Sequence, residues 1–164
     1  MDYKIIEGPS FKVVGKALRV PTKDGENMRR IPQFWQECMQ DGTYEQLTAL
    51  AATGVVQKDR MLGICADFAG DMSEFTYLIA AEATDEAIPA GMVEKTIPAA
   101  TWAVFEGIGP VSQTIQSIWG YIWSEFFQTS PYKHGAAPDL EVYPKGDPFQ
   151  PDYRLEVRVP VVKK

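Results

Sequence analysis

Thr101-Trp102-Ala103-Val104-Phe105-Glu106-Gly107-Ile108-Gly109-Pro110 is a β-rich run closed by glycines and a proline. Ile115, Ile118, Trp119, Ile122 and Phe126 follow it, apolar at the spacing of one helix face. Pro110 is acceptable in a first helical turn, and Ser130-Pro131 stops the helix. The same order occurs earlier in the chain. Phe11 to Val20 is β-rich and closes at Pro21. Ile31, Phe34, Trp35 and Cys38 then fall at i, i+3, i+4 and i+7. Thr22 to Arg30 is polar and reads as a loop, which puts Pro32 at an early helical position. Asp41-Gly42 ends this helix, and Tyr44 to Leu50 adds a short helical turn.

Two further strands follow each helix. Met61 to Phe68 and Phe75 to Ala83 read as a hairpin around Ala69-Gly70-Asp71, with Asp67 and Asp71 as turn residues. Thr84 to Gly91 is acidic and turn-like, and Val93 to Ile97 is a short strand ending at Pro98. Tyr132 to Pro138 reads as a loop. Leu140 to Tyr143 and Tyr153 to Pro160 are strands either side of Pro144-Lys145-Gly146-Asp147, the second with Leu155, Val157 and Val159 inward. The two strand–helix starts are about 80–90 residues apart. The expected fold is α+β: two strand-helix-strand-strand halves, about 1–84 and about 92–164, each burying its helix stripe on an antiparallel sheet. A groove is expected where the halves meet, a common place for a small-molecule site.

Composition narrows the function. The 164 residues carry 16 Lys and Arg against 22 Asp and Glu, a net charge of −6, with no basic run to track a phosphate backbone. Direct nucleic-acid binding is therefore not expected, and cationic or neutral small partners fit better. No apolar run is long enough to span a membrane, and Met1-Asp2-Tyr3-Lys4 does not open a signal peptide. Cys38 and Cys65 have neither metal nor redox spacing and read as buried thiols, so a cytoplasmic location is expected. No cofactor or metal is expected: there is no P-loop, and Gly107-Ile108-Gly109 lacks the rest of a dinucleotide fingerprint. His134 is the single histidine and reads as incidental in a loop.

The feature that stands out is Leu140-Glu141-Val142-Tyr143-Pro144. In a strand, Glu141 and Tyr143 share one face and Leu140 and Val142 the other. One reading makes Glu141 a solvated residue on an open face. The other packs Leu140 and Val142 under a helix and turns Glu141 and Tyr143 to the groove. A carboxylate there attracts an organic cation in reduced dielectric, and ring faces add cation–π attraction of about 0.5–2 kcal/mol each. Desolvation would also raise its pKa toward general acid–base use. The aromatic candidates are Trp35, Tyr77, Trp102, Phe105, Trp119, Trp123 and Tyr143. Trp35 and Trp119, on the apolar helix faces, read as the strongest core members, and Tyr77 and Trp102 as groove residues. Glu82 and Glu106 read as solvated strand ends.

Taken in order, Phe11-Lys12-Val13-Val14-Gly15, Ile31-Pro32-Gln33-Phe34-Trp35, Phe75-Thr76-Tyr77-Leu78-Ile79, Ile97-Pro98-Ala99-Ala100-Thr101-Trp102, Ile118-Trp119-Gly120-Tyr121-Ile122 and Leu140-Glu141-Val142-Tyr143 resemble the GyrI-like small-molecule-binding family. They are similar to the effector-binding domains of AraC-type and MerR-type multidrug regulators, over about residues 10–162. The resemblance implies a ligand groove on a pseudo-two-fold axis, with Glu141 as the central ligand-contacting acid and aromatic positions at Tyr77, Trp102, Phe105 and Tyr143. The chain departs from those regulators in that neither end shows a DNA-binding helix-turn-helix, so a standalone form is expected. It also implies that some relatives hydrolyse reactive cyclopropane-containing compounds, for which Glu141 and Tyr77 would be the catalytic pair. Three expectations follow: a binding protein for amphipathic, often cationic, small molecules or drugs; a hydrolase using Glu141 and Tyr77; and a module that binds a protein partner through its acidic surface.

Overall fold

The computed structural model describes residues 1–84 and 87–164. The strands are β1 (Lys4–Gly8), β2 (Phe11–Pro21), β3 (Arg60–Ala66), β4 (Glu74–Glu82), β5 (Val93–Ile97), β6 (Ala100–Ile108), β7 (Tyr132–His134), β8 (Asp139–Pro144) and β9 (Arg154–Lys163). The helices are α1 (Glu26–Gln40), α2 (Thr43–Ala51), α3 (Val111–Tyr121) and a last turn, α4 (Phe127–Thr129). A π-helical turn, Ile122–Phe126, joins α3 to α4.

The antiparallel sheet is curled and runs β1-β6-β9-β8-β3-β4-β2-β5, with β7 added on β9. This order is a palindrome under exchange of β1 with β5, β2 with β6, β3 with β8 and β4 with β9. The two central strands, β3 and β8, therefore meet at the pseudo-two-fold axis, paired Met61 to Tyr143, Gly63 to Glu141 and Cys65 to Asp139. Each half also lends its leading strand to the other: β1 pairs with β6, and β5 with β2.

Alternation along the strands builds two faces. On one, α1 and α2 bury Phe34, Cys38, Leu47 and Ala51 against Val14, Phe75, Tyr77 and Ile79. On the same side α3 and its π-turn bury Ile118, Ile122 and Phe126 against Ala103, Phe105, Val157 and Val159. The other face is closed by the curl of the sheet itself. It gathers Leu62, Ile64, Leu78, Trp102, Val104, Leu140 and Val142 and draws nothing from a helix. Leu140 and Val142 thus do not pack under a helix, which corrects that part of the second of the two readings of this strand. Glu141 and Tyr143 are the residues on the helical side.

Three local expectations are corrected. Residues 26–30 are the first turns of α1 and not a loop, so Pro32 lies inside the helix. Asn27 and Met28 on these turns face an open cleft instead of a core, so burial leaves no stripe in the sequence. Tyr132–His134 is a short strand on β9. Glu82 is buried, not solvated: its carboxylate accepts the backbone N–H groups of Val55, Val56 and Gln57 at 2.8, 3.2 and 2.7 Å and ties the segment before β3 to the end of β4. Glu106 is exposed as expected and pairs with Arg154. Part of the Thr84 to Gly91 turn, Asp85 and Glu86, lies outside the described residues. The Gly107–Gly109 segment is shaped by packing: Gly107 lets Thr114 and Ile118 of α3 close on β6, and Gly109 has a φ of +141°.

Candidate functional site

α1 and α3 lie on the same side of the sheet, and between them a cleft of about 510 Å³ opens onto the junction of β3 and β8. Asn27, Met28, Ile31 and Pro32 form one wall, and Ile115, Gln116, Trp119, Gly120 and Trp123 the opposite one. The β3–β4 hairpin adds Phe68, Met72 and Phe75, with the rings of Phe68 and Phe75 stacked at 5.2 Å. Cys65, Asp139 and Glu141 belong to its floor. The walls are mainly apolar, with Asn27 and Gln116 as their polar members, and the charged residues among those lining the cleft are the two carboxylates.

Glu141 is 7% exposed and its carboxylate accepts three side-chain hydrogen bonds. Oε1 receives the hydroxyls of Tyr77 at 2.6 Å and Tyr143 at 3.1 Å, and Oε2 receives the indole N–H of Trp119 at 2.8 Å. Trp35 extends the chain by donating its indole N–H to the Tyr77 hydroxyl at 2.9 Å, and its ring meets Tyr143 edge-on. Burial raises the Glu141 carboxyl above its ordinary value, aided by the nearby charge of Asp139, while the three donors pull it back. Burial and the charge of Glu141 push the hydroxyls of Tyr77 and Tyr143 well up, so both stay protonated donors. The result is a carboxylate anchored by aromatic donors rather than by a cation.

A glycine makes the arrangement possible. Gly63 pairs with Glu141 across the sheet axis, and a Cβ at that position would overlap both the Tyr77 hydroxyl and Glu141 Oε1. An isolated glycine inside a strand pattern marks such a close approach. Leu62-Gly63-Ile64 carries that signal in the sequence.

Glu141, Tyr143, Tyr77, Trp35 and Trp119 thus come together. Trp119 does more than fill core: it borders the cleft and bonds the acid. Trp123, 43% exposed, stands at the mouth one turn away, its plane 11° from that of Trp119. Three aromatic expectations are not met. Trp102 is buried on the opposite face of the sheet, because even-numbered β6 residues point away from the helices. Phe105 is on the helical face but fully buried beneath α3, against Tyr121 and Phe126. Tyr77 is 1% exposed and sits behind Glu141, not on the cleft surface. The sequence reading missed Asp139. It is 1% exposed, with Oδ1 2.6 Å from Nε2 of His134. Burial raises its carboxyl, and the hydrogen bond and charge of His134 oppose that. Among the described residues no group of acids, histidines and cysteines is placed to hold a metal ion, and no helix is long and apolar enough to cross a membrane.

A palindromic sheet with a helix-flanked cleft over its axis defines an effector-binding domain of the GyrI-like kind. Residues 4–161 match the Cass2 family, integron-associated effector-binding proteins, and the chain belongs to that family. The structure of SAV2435 bound to tetraphenylphosphonium is similar at a TM-score of 0.86 and 25% identity, over 99% of this chain and 94% of that one. A putative transcription regulation protein from Staphylococcus aureus MU50 gives 0.83 and 24%, over 98% of each chain. The integron cassette protein VCH_CASS2 of Vibrio cholerae gives 0.71 and 18%, over 98% of this chain and 95% of that one. Curated protein sequences gave no match. The chain is thus an effector-binding domain.

Proposed function

We propose that this chain binds amphipathic organic cations in the cleft between α1 and α3, with Glu141 as counter-charge. Residues 1–164 act as one binding unit in this reading, its halves about 1–84 and about 92–164. The observation that carries it is a buried carboxylate, held by three aromatic donors, at the floor of an apolar cleft whose charged lining groups are acids. A buried acid without a cationic partner is costly, and a ligand that brings a positive charge removes that cost. Trp119, Trp123, Phe68 and Phe75 supply ring faces, each worth about 0.5–2 kcal/mol to a cation. The complex of the similar protein SAV2435 with tetraphenylphosphonium, a lipophilic cation, supports the same ligand class.

The hydrolytic reading asks Tyr77 to give a proton to a ligand. Its hydroxyl proton is directed at Glu141, and its ring lies behind the acid. The geometry favours binding.

Tryptophan fluorescence titration with tetraphenylphosphonium tests the proposal, because Trp119 and Trp123 line the cleft. Glu141→Gln is expected to weaken binding roughly tenfold or more, about 1.4 kcal/mol. Equal affinity in the variant would refute the counter-charge role.

A further inference from the structure

Glu141 has a neighbour on the same face of β8 that the counter-charge reading does not use. Asp139 lies two residues earlier, so the two acids point the same way, about 7 Å apart along the strand. Both line the cleft. Asp139 is 99% inaccessible, its bond to His134 is made through Oδ1, and no other hydrogen bond reaches its carboxylate among the described residues. The residue facing it across the sheet axis is Cys65, which brings no charge. His134 reaches it from β7 and packs edge-on against Trp123, 5.3 Å between centroids. Trp123 stands between the two acids' partners, near-parallel to Trp119 on one side and against His134 on the other. The cleft floor therefore carries two acids side by side, flanked by an aromatic wall.

We propose that Asp139, positioned by His134, is a second cation subsite, and that the cleft takes flat aromatic dications whose positive centres lie about 7 Å apart. The inference rests on the reading of Glu141 as counter-charge and adds a ligand class to it. An amidinium suits each acid: it is a planar cation whose N–H edge donates to one carboxylate oxygen, and its planar body stacks on indole. His134 is a positioning residue. Its bond to Oδ1 orients the carboxylate and favours the charged form, leaving Oδ2 for the ligand.

The test compares benzene-1,4-dicarboxamidine with 4-methylbenzamidine, which has the same ring and one charge, at fixed ionic strength by calorimetry. The wild-type protein is expected to bind the dication roughly tenfold more tightly. Asp139→Asn should remove that advantage, weakening the dication roughly tenfold more than the monocation. Glu106→Gln removes an exposed acid that does not line the cleft and should leave the advantage intact, which separates the subsite from long-range attraction to a negatively charged protein. Should Asp139→Asn fail to fold, His134→Ala gives the reading. The advantage should shrink toward the acid end of the stable pH range and return toward the alkaline end. Equal binding of the two probes by wild type would overturn the proposal, as would an equal loss in Glu106→Gln. If 4-methylbenzamidine binds through Glu141 and the second charge adds nothing, the subsite alone fails. If neither probe nor tetraphenylphosphonium binds, both readings fail.

Discussion

β3 and β8 occupy equivalent places in the palindromic sheet and lie side by side at its axis, yet they carry different chemistry. β8 turns Asp139, Glu141 and Tyr143 to the helical face, and β3 opposes them with Cys65, Gly63 and Met61. A repeat that kept a glutamate on both strands would place two like charges directly opposite each other, which is destabilising. Here one strand supplies the acid and the other supplies no side chain at all. The symmetry of the fold builds the cleft, and the asymmetry of its central pair makes the cleft a charged site.

The comparison can be broken most severely from the β3 side. Gly63→Val should both destabilise the protein by about 3 kcal/mol and abolish cation binding, since its side chain must displace the Tyr77 hydroxyl and Glu141. Urea unfolding and a tetraphenylphosphonium titration check the two losses. Gly120→Ala is the control within the cleft wall. Its Cβ meets nothing within 4 Å, and an alanine in α3 should stabilise by about 0.5–1 kcal/mol.

The next effect belongs to pH. Burial holds the Glu141 proton to a higher pH than the ordinary value of about 4.5. The folded state therefore binds more protons than the unfolded one, and this carboxyl's contribution to stability falls as pH rises from about 4.5 through the raised folded value. Asp139 adds a slope of the same sign. Glu141→Gln should flatten that part of a Tm-against-pH curve. Affinity for a cation runs the other way, falling as the pH drops and Glu141 takes up its proton.

Trp119→Phe keeps a ring in the cleft wall and removes the donor to Glu141 Oε2. The loss of a bond that favours the carboxylate should move the acid-side fall in affinity to higher pH and weaken binding about threefold at neutral pH. The smallest effect on binding is expected at Trp102, on the far face of the sheet. Trp102→Phe should leave the affinity unchanged within about twofold while costing about 1–2 kcal/mol of stability. A large binding loss there would contradict the division into two faces.

Much of this was legible in the sequence, because the governing patterns are local. Alternation in Leu140-Glu141-Val142-Tyr143 put the acid and Tyr143 on one face. The apolar helix stripes placed Phe34 and Cys38 in one core and Ile118 and Ile122 in another. What escaped depends on contacts distant in sequence. The face of Trp102 follows from which side of the sheet receives α3, and no property of residues 101–107 alone decides that. Glu82 and Glu141 look alike as glutamates in strands. One is consumed by the backbone N–H groups of Val55 to Gln57, and the other is held by three aromatic donors at an open cleft. His134 and Asp139 fell in and beside a presumed loop, and only the pairing of β7 with β9 brings the imidazole to the acid.

The central claim is that this cleft selects charge and does not merely collect apolar molecules. Calorimetric affinities for tetraphenylphosphonium and for neutral triphenylphosphine oxide, measured in the wild-type protein and in Glu141→Gln, test it most directly. The account predicts that wild type prefers the cation by roughly tenfold or more and that the variant loses the preference. Equal affinities for the two compounds in wild type, or a preference that survives Glu141→Gln, would contradict it.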